Sequence, residues 1–310
     1  MDGIISYALN AVVYIGIYAI YALSLNIEYG FTGLSNFGKI AFIMVGAYSY
    51  TLLAEAGLHF IPSLILAMGI SAFFGFLISL PALRLREDYL AIVTLTFGEI
   101  LRLIVKSEQW IANGVWGIHV PSAITIEGAS YQISLLVNIG LVFTCLAICF
   151  FLVHLMSNSP FGRILRAIRE DGVAADSLGK NMFKYKSLSF VMGSAIAGLG
   201  GALFAQFINY IEPNMFLPAI TFSIWIMVIM GGPANNWGVL VGALLVQAFE
   251  RGTSIMKDYF TLPVDPVNIQ YIMFGALIIF ILAYRPSGLF REHKVKTLGT
   301  KRAKQWMDHS

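Results

Sequence analysis

The segment Gly33-Leu34-Ser35-Asn36-Phe37-Gly38-Lys39 reads G-x-x-x-x-G-K, the spacing of a loop that cradles phosphates with backbone N–H groups and a lysine. Two features argue against nucleotide binding. Ile40 stands where Ser or Thr would hold magnesium, and no strand pattern precedes the segment. Close helix packing, or an unwound stretch lining a path with Asn36 in it, accounts better for the glycines. The histidines, His59, His119, His154, His293 and His309, are scattered, without H-E-x-x-H or a pair at metal-binding spacing. No metal site and no bound cofactor are expected in this chain. G-x-S-x-G is absent too, and an intramembrane hydrolase would need a nucleophile and base in apposition, for which Ser194 with His154 is the candidate. Glu99 and Arg102 are the more informative charges. Three residues apart on a helix, they share a face and can neutralise one another, and an ionised side chain at membrane depth costs several kcal/mol unless paired or hydrated. Two readings stay open: a pair that locks the helix, or a pair facing a water-filled cavity and contacting a polar or zwitterionic substrate. Glu250 and Arg251 lie near an expected helix end, where snorkelling explains them.

These residues sit in a chain of 310 residues, 58% hydrophobic and 12% charged, against about 45 to 50% and about 25% for a soluble domain. That composition excludes a soluble globular protein. The apolar excess comes in long uncharged runs, each sufficient to cross a hydrocarbon layer of about 30 Å. Spans are expected near 4 to 25, 35 to 54, 60 to 83, 89 to 105, 133 to 156, 187 to 211, 214 to 232, 236 to 256 and 268 to 285. Only intra-segment hydrogen bonds satisfy the backbone in lipid without a closed barrel, and the alternation of barrel strands is missing. The expected fold is therefore all-α, a polytopic bundle of about nine spans (about eight to ten) with some of them discontinuous. The second span is the weakest, since Gly30, Gly33 and Gly38 interrupt it.

Basic residues orient the bundle. With inner segments at 26 to 39, 84 to 88, 157 to 186 and the tail from Arg285, 16 of the 20 Lys and Arg fall inside. The C-terminus is expected in the cytoplasm. The net charge of +3 is too small to suggest nucleic acid. Residues 1–290 form the expected transmembrane domain, with the inner loop at 157–186 included, and 291–310 a basic tail suited to anionic lipid headgroups. The inner loop places Ile164, Leu165 and Ile168 at helical spacing among charges, which predicts one or two amphipathic helices. The outer segment from Lys106 to Gln132, with Trp110, Trp116 and Pro121, suggests an ordered cap at the interface. Small residues recur at Gly193, Ala197 and Gly201, and at Gly231, Gly232, Gly238 and Gly242, a pattern that lets helices approach closely. Cys145 and Cys149 lie one turn apart in an apolar run and suggest neither a disulfide framework nor a metal site.

Several separated stretches, in one order, together resemble a known family. They are GLSNFGKIAFIMVGAY (Gly33 to Tyr48), RLREDYLAIVTLTFGEILRL (Arg84 to Leu103) and SPFGRILRAIREDGVAADSLGKN (Ser159 to Asn181). GSAIAGLGGALFA (Gly193 to Ala205), the GG…NWG…GA segment (Gly231 to Ala243) and YRPSGLF (Tyr284 to Phe290) follow. The chain resembles the LivM-type permease subunit of branched-chain amino acid ABC importers. The resemblance implies half of a transmembrane channel, completed by a homologous LivH-type permease and moved by two cytoplasmic ABC ATPase subunits. An extracytoplasmic amino-acid-binding protein would deliver leucine, isoleucine or valine across a prokaryotic inner membrane. It also implies a coupling helix with an E-A-A-x-x-x-G signature that docks on the ATPase. Ala174, Ala175 and Gly179 match, whereas Val173 replaces the Glu and leaves the acidic contact to Glu170 or Asp171, or removes it. Arg166 and Arg169 offer further polar contacts, and Asn36, Glu99 and Arg102 are the candidate positions on the translocation path. Permeases of similar pattern import urea and other amides or carboxylates. A secondary transporter, with internal repeats and midplane carboxylates, and an intramembrane enzyme are the readings of a different class.

Overall fold

The computed structural model describes residues 2–121, 131–259, 266–285 and 288–292. Each apolar run of the sequence forms a helix. In chain order these are α1 (Asp2–Leu25), α2 (Lys39–Glu55), α3 (Phe60–Ala82), α4 (Glu87–Ser107), the short α5 (Gln109–Ala112), α6 (Tyr131–Asn158), α7 (Pro160–Glu170), α8 (Gly172–Ser177), α9 (Met182–Ile208), α10 (Pro218–Gly231), α11 (Asn236–Tyr259) and α12 (Pro266–Tyr284). Among the described residues five stretches are both long and apolar enough to cross a membrane: Ile5–Gly30, Phe60–Ala82, Tyr131–Asn158, Met182–Ile208 and Pro213–Gly231. The protein is a polytopic α-helical membrane bundle.

Helix α9 packs against α1, α2 and α3. Its small residues explain why. A side chain at Gly198 would meet Ser71 Oγ at 2.7 Å, and one at Gly201 would meet the Ile43 carbonyl carbon at 2.8 Å. With no side chains between them the backbones close, and van der Waals contact plus polar bridges replace the hydrophobic drive that lipid removes. Ser71 Oγ lies 2.9 Å from the carbonyl oxygens of both Phe42 and Ser194, tying α3 to α2 and α9. The Gly231, Gly238 and Gly242 set likewise lets α10 and α11 cross backbone to backbone.

The first span differs from expectation. Its helix does not stop at Leu25, because a π-type turn over Asn26–Gly30 carries it on. The break falls at 33–38, so the second span begins at Lys39 instead of residue 35. Residues 26–39, read from sequence as an inner loop, are thus largely interior, with Asn26, Glu28, Asn36 and Lys39 all buried.

Between α4 and α6 the cap is ordered as far as it is described, and residues 122–130 lie outside the described set. Trp110 and Trp116 stand exposed on it, as interfacial aromatics do. The one strand pair among the described residues, β1 (Ile118–His119) antiparallel to β2 (Tyr210–Ile211), fastens this cap to the end of α9. At the other end of the bundle, residues 288–292 fold back on α10: the amides of Leu289 and Phe290 donate to the carbonyls of Met230 (2.8 Å) and Gly231 (3.2 Å). Arg291 and Glu292, placed by sequence in the tail, therefore touch the bundle, and the tail from 293 onward lies outside the described residues.

Candidate functional site

The break between α1 and α2 concentrates the buried polarity. Glu28 is carried on the π-type turn and Lys39 opens α2, and both side chains are 0% exposed. Lys39 Nζ lies 2.7 Å from Glu28 Oε1, and Asn36 Nδ2 donates to Glu28 Oε2 at 2.9 Å. Asn36 then holds the turn itself, its Oδ1 accepting from the Gly38 amide (2.9 Å) and its carbonyl from Trp225 Nε1 (3.1 Å). Gly33, at φ +72°, supplies the left-handed residue that lets the chain leave the helix. On α9, a side chain at Gly193 would come 2.7 Å from Glu28 Cδ, so the glycine makes room for the carboxylate. Neighbouring contacts fix the segment on two further helices: the Phe37 amide donates to Thr94 Oγ1 on α4 (3.1 Å), and the Ile40 amide to Thr221 Oγ1 on α10 (3.1 Å). Phe37 also stacks on Trp225, ring centroids 4.6 Å apart.

This geometry disposes of phosphate binding at the G-x-x-x-x-G-K segment. Lys39 is spent on Glu28 and out of reach of solvent, and the preceding element is a helix. Removing two charges from water costs several kcal/mol each, which attraction and extra hydrogen bonds must offset. The offset is visible here as two bonds on one carboxylate. Sequence reading passed over Glu28 and took Glu99 as the deep carboxylate. The available signal was that Ile27, Tyr29 and Phe31 flank Glu28 with apolar side chains beyond Leu25.

Residues 159–181, expected from sequence as an inner loop, form two short helices, of which α7 is amphipathic. Ser159 caps α7 with its Oγ on the Gly162 amide (3.4 Å), ahead of Pro160 at the first helical position. Leu165 and Ile168 face inward. Asp171 caps α8 by accepting from the Ala174 amide at 2.9 Å, so this carboxylate is already engaged by backbone. Gly179, at φ +76°, ends α8: its amide donates to the Asp176 carbonyl (2.8 Å) and that of Lys180 to Ala175 (3.1 Å), the paired bonds of a Schellman stop. Ala174 is exposed and Ala175 buried. Flanking them, Val173 is 78% and Leu178 80% exposed, two apolar side chains that nothing in the fold of α8 requires to be outside.

Arg166 and Arg169 turn inward from α7. Glu292 accepts Arg169 Nη2 at 2.6 Å and lies 2.8 Å from Arg166 Nε. Arg169 also donates to the Gly30 carbonyl, and the Arg166 guanidinium sits 5.1 Å from the centroid of the Phe31 ring. The two arginines thereby join α7 to Gly30 and Phe31, close in sequence to Glu28. Glu170, in contrast, is exposed.

Glu99 and Arg102 do meet, at 2.5 and 3.0 Å in a two-pronged pair. Arg102 Nη1 and Lys106 Nζ both approach Asn214 Oδ1, at 3.5 and 3.4 Å. With Glu99 35% exposed, the pair is at a margin and not in the interior. Asn36 is not clustered with this pair: its neighbour Phe37 meets α4 at Thr94, about one and a half turns before Glu99. Ser194 and His154 are not brought together. Ser194 Oγ donates to the Phe190 carbonyl (2.8 Å), whereas His154 is exposed beside Asn158 (3.0 Å). Glu250 and Arg251 differ from simple snorkelling, since Glu250 accepts from Ser223 (3.0 Å) and Gln247 (2.5 Å), and the Arg251 guanidinium lies 3.7 Å from the centroid of the Tyr14 ring. Among the described residues there is no group of His, Cys, Asp and Glu that could hold a metal.

Comparison with known proteins agrees with the geometry. A family model described as the permease component of the branched-chain amino acid transport system matches residues 7–282. The probable branched-chain amino acid transport permease protein LivM of Methanocaldococcus jannaschii is 31% identical over 326 residues, covering 91% of this chain and 92% of that protein. The high-affinity branched-chain amino acid transport system permease protein LivM of Salmonella typhimurium is 32% identical, covering 88% and 67% respectively. LivH of Escherichia coli K12, named as a permease protein of the same kind of system, is 24% identical over 90% of this chain and 92% of that protein. No solved structure matches.

Proposed function

Because the chain belongs to the family of branched-chain amino acid transport permease components, we propose that it is one of two membrane subunits of an ATP-driven importer for leucine, isoleucine and valine. The observation that carries this reading is the family match over residues 7–282, joined to a short helix, α8, at whose ends Val173 and Leu178 stand exposed. On α8, Val173, Ala174 and Leu178 present a small apolar surface. An ATPase groove would bury that surface, with Glu170 and Asp171 at its polar rim. Gly179 fixes where the helix stops, and Ala175 seats it on the permease.

The remaining helices α2, α4, α11 and α12 complete nine crossings, with α7, α8 and the C-terminus in the cytoplasm. A second permease of the LivH type and two ATPase subunits complete the transporter. A binding protein delivers the amino acid to the opposite face. Closure of the ATPases displaces α7 and α8. Arg166 and Arg169 pass that displacement to Gly30 and Phe31, and so to the turn held by Glu28, Asn36 and Lys39. Asn36 acts as the keystone of this turn, and Glu99 with Arg102 lie at the margin of the path. The chain itself carries out no chemistry. Selectivity rests mainly with the binding protein.

Replacing Val173 and Leu178 together by Asp tests the docking surface. The chain should insert and remain monodisperse while ATPase retention in a pull-down falls at least tenfold. Undiminished retention contradicts the assignment of α8.

A further inference from the structure

We propose that this subunit holds a binding site for an oxyanion bearing an apolar group, in a cavity between α1, α6, α9 and α11, at the end of the bundle opposite α8. The cavity has a volume of about 640 Å³, within the range of small-molecule sites. Among the described residues lining it, Arg251 alone is charged. Its guanidinium lies 3.7 Å from the centroid of the Tyr14 ring, and among the described residues its buried Nε has no hydrogen-bond partner. A buried donor left unsatisfied costs about 1–3 kcal/mol, and a planar guanidinium is suited to a carboxylate or phosphate. Glu250, the adjacent residue, is not part of the lining and accepts from Ser223 and Gln247.

The rest of the lining has the same logic. Gln206 already receives the Tyr50 hydroxyl on its Oε1, which leaves its amide nitrogen to donate. Asn138 donates to the Ser134 carbonyl (2.9 Å), which leaves its Oδ1 to accept, as an ammonium or hydroxyl would require. Leu135 and Phe207 supply an apolar wall. A single fixed positive charge, neutral polar groups and that wall favour a ligand with one anionic head. A free amino acid and an anionic lipid headgroup both offer this chemistry. The proposal rests on the cavity alone and not on the transport reading.

The test uses the full-length chain purified in detergent and delipidated. Retention of phosphatidylglycerol is measured by native mass spectrometry, and binding of radiolabelled leucine by scintillation proximity, for the wild type, Arg251→Gln and Asn138→Leu. Saturable binding of either probe is expected, weakened at least tenfold in both variants. Leucine alone identifies a free amino acid as occupant; phosphatidylglycerol alone identifies a lipid headgroup. Asn138→Leu keeps the charge and removes the accepting Oδ1, so it decides the matter if Arg251→Gln is not monodisperse. Wild-type protein that retains neither probe, or folded variants that bind as the wild type does, overturns the proposal.

Discussion

Replacing Lys39 by Met leaves Glu28 without its counter-charge in a site closed to solvent. At 2.7 Å and an effective dielectric constant of about 20, the attraction between the two is about 6 kcal/mol. Desolvation cancels part of this, and breaking a buried pair by removing one partner costs about 3–5 kcal/mol. For a chain of this size each kcal/mol lowers Tm by about 2–4 °C, so the Lys39→Met variant should melt about 6 to 20 °C lower. Heat steps followed by fluorescence-detected size-exclusion chromatography in detergent read this directly. The double variant Glu28→Gln with Lys39→Met is the decisive comparison. A neutral amide in place of the Glu28 carboxylate can still accept from Asn36 and no charge is left stranded, so the double variant should be more stable than Lys39→Met alone, with a coupling of at least about 2 kcal/mol. A Lys39→Met shift under about 2 °C, or a double variant at the sum of the singles, would refute the buried pair.

Other perturbations follow from the same geometry. Gly201→Leu forces a side chain into the Ile43 backbone and should destabilise by at least about 1–3 kcal/mol, seen as a lower melting temperature, whereas Gly140→Leu, which meets no neighbour within 4 Å, should not. Arg169→Gln removes the charged link to Glu292; ATPase binding should persist while substrate-stimulated hydrolysis falls several-fold. Bulky residues at Ala174 and Ala175 together should uncouple the ATPase, and because Ala175 is buried, that single change should also destabilise α8 where Ala174→Trp alone does not. For Glu99 and Arg102, an exchange of the two charges should restore uptake lost in either single reversal; failure of the exchange to do so assigns them to substrate contact.

The helices were legible because lipid permits so few backbone solutions. The expected spans at 60 to 83 and 133 to 156 coincide with α3 and α6 to within two residues at each end, since long apolar runs admit little else. The end of α8 was legible for a different reason: Gly179 is a local signal that acts within one turn, whereas Asp171, read as an acidic contact, caps the helix start. The buried cluster was not. Glu28 looked like a loop residue because Lys39 lay nearby, and a charge count treats a cation as solvated. Only tertiary packing shows that Gly193 leaves space for one carboxylate and that Lys39 meets it across the break. The inward turn of Arg166 and Arg169 was hidden likewise, because Glu292 is more than a hundred residues away.

The measurement that bears most directly on the central claim is uptake of labelled leucine into liposomes holding this chain with its co-purifying subunits, with the binding protein outside and ATP trapped inside. Uptake that requires ATP hydrolysis, and that ceases when Val173 and Leu178 are both replaced by Asp, is the expected result. Uptake by this chain alone, driven by an ion gradient without ATP, would contradict it.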